Sequence, residues 1–280
     1  MTSPLLSYVR ADVPQQLRGY VTAVVAYDVE VGAPGSHVGM PSTALTLQLA
    51  SGRPLRAGWA ADEDADPVGV PALWGMLSGL HDRPARIVHD GRMTGVEVSL
   101  TPLGVRAVLG TCASDLAGHI VALGEVDRSL EALVEQVALS TTPRQRIEHT
   151  VRGLLAVARP DATEPTRPEV GFALARLTRG ARVDDVAAET GLSRRHLTTL
   201  VKAETGLAPK TYHRVARLQR SCSDLKRSAR HGRPSLAAVA VRAGYTDQAH
   251  MTRDWTELAG VTPSRWLRHE FPFVQDGAGA

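Results

Sequence analysis

The stretch GYTDQAHMTRDWTELAGVTPSRW, residues 244–266, decides the fold because most of its pattern also occurs earlier in the chain. The segment around Gly191 repeats the same order of residue types, at an offset of 53 positions up to the glycine and 54 after it. A pattern that recurs in this way indicates one supersecondary unit used twice. The matched pairs are Val186 with Val239, Gly191 with Gly244, His196 with His250, Val201 with Trp255, Gly206 with Gly260, and Pro209 with Pro263.

Each copy is expected to fold as two short helices joined by a glycine turn. Gly191 and Gly244 can adopt the left-handed backbone conformation that ends a helix, at no steric cost. Ser193 is the expected cap of the next helix in the first copy, and Thr246 or Asp247 is the expected cap in the second. Their side-chain oxygens can accept hydrogen bonds from backbone N–H groups at the helix start. Two short helices around such a turn are typical of a helix-turn-helix.

The second helix of each copy has an apolar side that is expected to be buried. Leu197, Leu200 and Val201 form this side in the first copy, and Met251 and Trp255 form it in the second. Residues three or four positions apart share one face of a helix. We therefore expect these side chains to pack into the interior of their unit.

The opposite side of the same two helices is polar and offers candidate contacts to double-stranded DNA. Arg can pair with guanine, Gln with adenine, and the methyl group of Thr or Ala can meet the thymine methyl. One such face alone could equally be a solvated surface or a subunit contact, but the duplication on a basic region favours DNA. The candidate base-reading residues are Arg195, Thr198, Thr199, Gln248, Ala249, Thr252 and Arg253, and the candidate phosphate contacts are Arg194 and Lys202.

The formal net charge of +3 hides a split between two parts of the chain. Residues 166–280 hold 19 Lys+Arg against 11 Asp+Glu, a net of +8, whereas residues 1–165 hold 13 against 18, a net of −5. A basic part beside an acidic part indicates a polyanion-binding module attached to a second module. Charge alone is equally compatible with a solvated surface.

The segment between the two copies has a length that suits two reading heads. Residues 210–228 contain no Gly or Pro and are expected to form one helix. Together with Pro209 such a helix spans ~30 Å. Successive major grooves on one face of DNA lie ~34 Å apart. A stiff helix here would therefore hold the two recognition helices about one DNA turn apart.

The chain as a whole predicts an α+β protein with two domains. Residues 19–31, 43–52 and 86–100 are rich in β-branched residues, as in strands, and residues 129–139 and 143–158 carry helical periodicity. The expected buried stripe of the last helix is Ile147, Val151, Leu154, Leu155 and Ala158. The expected boundaries are 1–158 for a β-rich domain with trailing helices, 159–169 for a proline-containing linker, 170–270 for an all-α domain of two helix-turn-helix units, and 271–280 for a disordered tail.

Motifs of enzymes and metal sites are missing from the sequence. It has no G-x-S-x-G elbow, P-loop or G-x-G-x-x-G, so no catalytic residue and no cofactor is predicted. His37, His81 and His89 lack the spacing of metal ligands, as do Cys112 and Cys222, so no metal site is predicted. The alternative hypothesis is an enzyme or sensor that carries the DNA module as a secondary part, and the missing catalytic motifs disfavour it.

Nothing in the sequence indicates insertion into or passage across a membrane. No apolar run reaches the ~18 residues that a membrane-spanning helix needs. The N-terminus lacks a basic segment followed by an apolar one, which a signal peptide would have. We therefore expect a cytoplasmic, nucleoid-associated protein without a membrane partner.

Residues 170–269, and the second copy above all, resemble the AraC/XylS family of transcription regulators. The resemblance implies a DNA-binding regulator in which the candidate base-reading positions touch bases. It also implies RNA polymerase as a partner, as for an activator, while the sequence leaves activation or repression open. The residues that carry the resemblance are Gly244-Tyr245, Gln248, His250, Arg253, Trp255 and the closing Gly260-Val261-Thr262-Pro263.

The N-terminal half resembles the sensor domain of an actinobacterial-type subgroup of the same regulators. Three stretches carry this resemblance: residues 36–52, residues 78–110 and residues 113–126. It implies a β-rich, cupin-like domain that binds a small-molecule effector or forms a homodimer. The residues of an effector pocket are not indicated.

Overall fold

Two antiparallel sheets form the N-terminal part of the protein. The computed structural model describes residues 5–30, 32–59, 70–159, 167–232 and 234–269. The strands are β1 (Leu5–Arg10), β2 (Val21–Glu30), β3 (Gly35–Gly39), β4 (Leu45–Ala50), β5 (Leu55–Trp59), β6 (Ala72–Leu73), β7 (Gly75–Ser78), β8 (Ala85–His89), β9 (Arg92–Leu100) and β10 (Ile120–Ala122). One sheet has six strands in the order β1-β2-β9-β4-β7-β10, and the other has four in the order β3-β8-β5-β6.

Helices cover one face of the six-stranded sheet and form all of the C-terminal part. The first five are α1 (Pro102–Leu109), α2 (Ala113–Leu116), α3 (Leu123–Val126), α4 (Glu131–Ala138) and α5 (Pro143–Val157). The others are α6 (Pro168–Thr178), α7 (Val183–Thr190), α8 (Arg194–Thr205), α9 (Pro209–Arg230), α10 (Leu236–Ala243), α11 (Gln248–Ala259) and α12 (Pro263–His269). No helix of the described ranges is long and apolar enough to span a bilayer. The predicted α+β class, a β-rich domain followed by helices, is confirmed.

The two faces of the six-stranded sheet differ in their access to solvent. Val24, Leu47 and Val98 lie on the face beneath the helices and are fully buried. Val25 and Glu97 are cross-strand neighbours on the opposite face and are only half-buried. This second face looks toward the four-stranded sheet, since residues of both sheets form one apolar cluster between them. The region between the two sheets is called the lumen below, and its polar wall includes Tyr27, Gln48 and Glu97.

Three neighbouring strands of the six-stranded sheet, β2, β9 and β4, follow the sequence pattern closely. β2, β4 and β9 fall inside the three predicted stretches, and Asp90-Gly91 connects β8 to β9. Alternation of fully buried and half-buried residues along β2 explains why the pattern was readable, because side chains of a strand point to opposite faces in turn.

The predicted buried stripe of α5 is wrong in part. The fully buried row is Arg146, Thr150 and Leu154, whereas Leu155 keeps 37% of its surface exposed. The hydroxyl of Thr150 donates to the carbonyl of Arg146, which satisfies it inside the core. Burial lowers the pKa of Arg146, and the nearby carboxylate of Asp28 acts in the opposite direction. An arginine at the sheet contact was not foreseeable from apolar periodicity.

Of the boundaries predicted for the linker and the tail, only the C-terminal end of the linker can be compared with described residues. α6 begins at Pro168, so the last two residues of the predicted linker are helical. Residues 160–166 and the predicted tail, 271–280, lie outside the described residues.

One apolar core runs from the N-terminal sheet into the first helix-turn-helix unit. The largest buried cluster includes Leu47 and Val98 of the sheet together with Leu197 and Val201 of α8. The second unit has a cluster of its own, centred on Trp255. The two helix-turn-helix units are therefore anchored in different cores.

Candidate nucleic-acid interface

The first helix-turn-helix unit consists of α7 and α8, supported by α6. α7 ends at Gly191, which has φ +67° and lets the chain turn at once. Ser193 caps α8, since its hydroxyl oxygen accepts the backbone N–H of His196 at 3.2 Å. The predicted cap and turn are confirmed in this copy.

The second unit consists of α10 and α11, followed by α12. Gly244 ends α10 with φ +88°. Of the two predicted caps, Asp247 is the one used: its carboxylate accepts the backbone N–H of His250 at 2.7 Å. The hydroxyl of Thr246 instead lies 3.3 Å from Nδ1 of His250.

The apolar sides of the two recognition helices are buried as expected, with one exception. Leu197, Val201, Met251 and Trp255 are fully buried, whereas Leu200 is half-buried. These side chains fix the rotation of α8 and α11 about their own axes, because turning either helix would expose an apolar row. The opposite sides of α8 and α11 must therefore face solvent.

The candidate base-reading residues do lie on those outward sides. All seven side chains are exposed or half-buried: Arg195, Thr198, Thr199, Gln248, Ala249, Thr252 and Arg253. The hydroxyls of Thr198, Thr199 and Thr252 each donate to the carbonyl four residues earlier, at 2.8, 3.1 and 2.9 Å. Because these hydroxyl protons are used within the helix, the threonines offer a methyl group and an acceptor lone pair. That chemistry suits the thymine methyl more than a donor-dependent contact.

The two candidate phosphate contacts sit at opposite ends of the exposed face of α8. Lys202 is exposed near its C-terminal end. Arg194 lies at its first residue and pairs with Asp184 of α7, at 2.9 Å between Nε and Oδ1. Both side chains of this pair are more than half exposed, at 72% and 55%. Such exposed pairs contribute little to stability, so Asp184 does not hold the Arg194 guanidinium firmly.

α9 is joined to α11 by ion pairs that the sequence pattern did not reveal. Asp254 is 8% exposed and accepts from Arg214 at 2.9 Å and from Arg217 at 2.7 Å. Arg214 also reaches Glu257 at 2.6 Å. Asp254 lies 40 positions after Arg214 and 37 positions after Arg217 in the sequence. The sequence signal for these ion pairs was the placement of Arg214 and Arg217 one turn apart on the predicted long helix.

His250 has a structural setting rather than a chemical one. Its ring lies edge-on to Tyr245, with centroids 5.3 Å apart, and Nε2 lies 3.2 Å from Nη2 of Arg217. The counterpart His196 is exposed. Among the described residues, no group of three or more His, Cys, Asp or Glu side chains could hold a metal ion.

The C-terminal end of α8 is attached to the N-terminal part. Glu204 is 7% exposed and pairs with Arg106 of α1, at 3.3 Å between Oε2 and Nη2. The same Nη2 also donates to Sγ of Cys112. Further along, Thr43 donates its backbone N–H and its hydroxyl to the side chain of Gln219 on α9, at 3.1 and 2.8 Å.

Comparison with known protein families finds one match, in the C-terminal part of the chain. Residues 186–269 match the family described as "Helix-turn-helix domain". No curated protein matches the chain.

Solved structures are similar to the chain at low identity. ToxT from Vibrio cholerae is similar at 10% identity, covering 95% of this chain and 98% of that one, with a TM-score of 0.47. The C-terminal domain of AraT, a response regulator from Geobacillus stearothermophilus, is similar at 19% identity, covering 38% and 88%, with a TM-score of 0.34. A probable AraC family transcriptional regulator from Rhodopseudomonas palustris is similar at 24% identity, covering 37% and 94%, with a TM-score of 0.31.

The duplicated unit, its two outward polar faces and the family match over residues 186–269 agree with one another. The C-terminal part is a helix-turn-helix domain over residues 186–269.

Proposed function

We propose that one copy of this chain reads two successive major grooves of a single duplex, with α8 in one groove and α11 in the next. The observation that carries the proposal is the pair of outward polar faces joined by one continuous helix. α9 has 22 residues, and a helix of that length spans ~33 Å. Successive major grooves lie ~34 Å apart. The proposal also includes contact with RNA polymerase and formation of a homodimer. These two partners are supported only by the family resemblance.

Each recognition helix contributes a different set of contacts in this arrangement. α8 reads through Arg195 and the methyl groups of Thr198 and Thr199, while Lys202 and Arg194 neutralise phosphates. α11 reads through the residues Gln248, Ala249, Thr252 and Arg253. Arginine and glutamine can each make two hydrogen bonds to one base, whereas methyl groups recognise only thymine. The two half-sites are therefore expected to differ in sequence.

Replacing the reading arginines should change the preferred DNA sequence. For Arg195→Ala and Arg253→Ala we expect a loss of ~1–3 kcal/mol in specific binding, each confined to one base position. Sites are selected from a random DNA library by the full-length protein and each variant, and affinities are then measured on the selected sites. Arg144→Ala, which removes the same charge from the exposed surface of α5, is the control and should leave both readouts unchanged. A selected sequence identical for wild type and both variants would show that these helices do not read bases.

A small-molecule effector in the lumen is the second part of the proposal. Tyr27 donates to Oε1 of Gln48 at 3.0 Å, and Nε2 of Gln48 donates to Oε2 of Glu97 at 2.8 Å. These groups form a polar row on an otherwise apolar wall, which is the usual character of a ligand site. Burial raises the pKa of Glu97, and Lys226 of α9 acts to lower it. The lumen thus lies within electrostatic reach of the DNA-binding part.

Filling the lumen should abolish the response to an effector. Val25→Trp adds a large ring to the lumen wall, and Arg56→Trp adds the same ring on the exposed outer side of β5 as a control. Melting temperatures of the full chain are measured with a library of metabolites. A compound that stabilises wild type and Arg56→Trp but not Val25→Trp is the expected result. If no metabolite stabilises wild type, or if Val25→Trp responds like wild type, the lumen is not the effector site.

A further inference from the structure

The two helix-turn-helix units both pack against α9, but they belong to different cores. The first unit shares its core with the N-terminal sheet, and the second has a separate core. Between them runs a groove of about 370 Å³ beside α9, lined by polar side chains as well as alanines. A groove of this kind supplies no interlocking apolar packing that would hold the units at one angle. A side chain that crosses this groove can therefore influence the angle between the two helix-turn-helix units.

Arg220 of α9 crosses this groove. Its Nη1 donates to the carbonyl of Thr178, the last residue of α6, at 2.5 Å. Its Nη2 donates to the carbonyl of Ala243, the last residue of α10, at 3.3 Å. α6 supports the first recognition helix and α10 precedes the second, so one guanidinium joins the scaffolds of both units.

The chemistry of this contact suits arginine in particular. The last carbonyls of a helix lack partners within the helix and carry partial negative charge, so a cation there is stabilising. The planar guanidinium presents several N–H groups in fixed directions and can serve two carbonyls at once, which a lysine ammonium does less well. Burial lowers the pKa of Arg220, as expected for a guanidinium held between two elements rather than in solvent.

We propose that Arg220 is a positioning residue that fixes the angle and distance between α8 and α11, and thereby the number of base pairs between the two half-sites. The inference rests on the proposed reading of two grooves by one chain. Arg220 touches no DNA in this role. Its effect is on which spacings are accepted and not on which bases are preferred.

Selection from a random DNA library tests the proposal with the full-length protein. We expect wild type to select two half-sites at one spacing, with affinity about tenfold lower when one base pair is inserted between them. For Arg220→Ala we expect the same half-site sequences at several spacings, with the penalty for the insertion reduced to about twofold. Arg220→Lys keeps the charge and is expected to relax spacing in the same way. Arg227→Ala, an exposed arginine of the same groove, is the matched control and should keep the wild-type spacing.

The outcomes separate this inference from the proposed function. If wild type selects no two-part site, the reading of two grooves by one chain fails. If wild type selects a two-part site and both Arg220 variants keep its single spacing, only the role of Arg220 is overturned. Melting temperatures are measured alongside, and Arg220→Lys decides the question if Arg220→Ala does not fold.

Discussion

Trp255→Ala is expected to unfold the second helix-turn-helix unit at temperatures where the wild-type protein is intact. Trp255 is fully buried, its Nε1 donates to the hydroxyl of Ser221 at 2.8 Å, and its ring packs edge-on against Trp266 at 5.6 Å between centroids. Replacing a buried tryptophan by alanine costs ~3–5 kcal/mol, because the surroundings collapse only partly into the cavity. It also leaves the buried hydroxyl of Ser221 without this donor.

Urea unfolding followed by circular dichroism measures the loss. Thr256→Ala, the next residue along α11 but exposed, is the control and should lie within about 0.5 kcal/mol of wild type. A variant Trp255→Ala as stable as Thr256→Ala would contradict the burial of the indole ring.

Asp254→Ala is expected to have the second-largest effect on stability. The carboxylate holds two arginines of α9, and its removal leaves Arg217, whose side chain is 13% exposed, without this carboxylate partner. Breaking a buried pair by deleting one partner costs about 3 kcal/mol, since the remaining charge stays desolvated. The free energy of unfolding from urea titrations gives the measurement.

The chain offers a matched control for this prediction. Glu257 also pairs with Arg214, but its side chain is 66% exposed. An exposed pair contributes only ~0.5 kcal/mol, so Glu257→Ala should be nearly neutral. Equal losses for the two variants would mean that burial does not strengthen the Asp254 pairs.

The recognition helices were predictable because their signals are local. Gly191 and Gly244 mark turns, Ser193 and Asp247 mark helix starts, and the spacing of Met251 and Trp255 marks the buried side. Each of these depends on neighbours within one or two helical turns. A duplicated pattern confirms such signals internally, since chance rarely produces the same order twice.

The contacts that position those helices were not predictable, because their partners are distant in sequence. Arg220 reaches carbonyl groups 42 and 23 positions away, and Arg106 reaches Glu204 across 98 positions. An arginine on a predicted helix looks the same whether it is solvated or bridges two elements. The buried Arg146 is the clearest example, since apolar periodicity assigned the contact side of α5 to Val151 and Leu155.

The shared core of the N-terminal sheet and the first helix-turn-helix unit has a consequence for how the protein comes apart. Leu197 and Val201 of α8 belong to the same buried cluster as Leu47 of the sheet, so these parts should lose structure cooperatively, as one folding unit. The second unit is a separate one. The border between the two folding units therefore runs along α9 and not through the proline-containing segment, and α8 is energetically part of the N-terminal sheet domain.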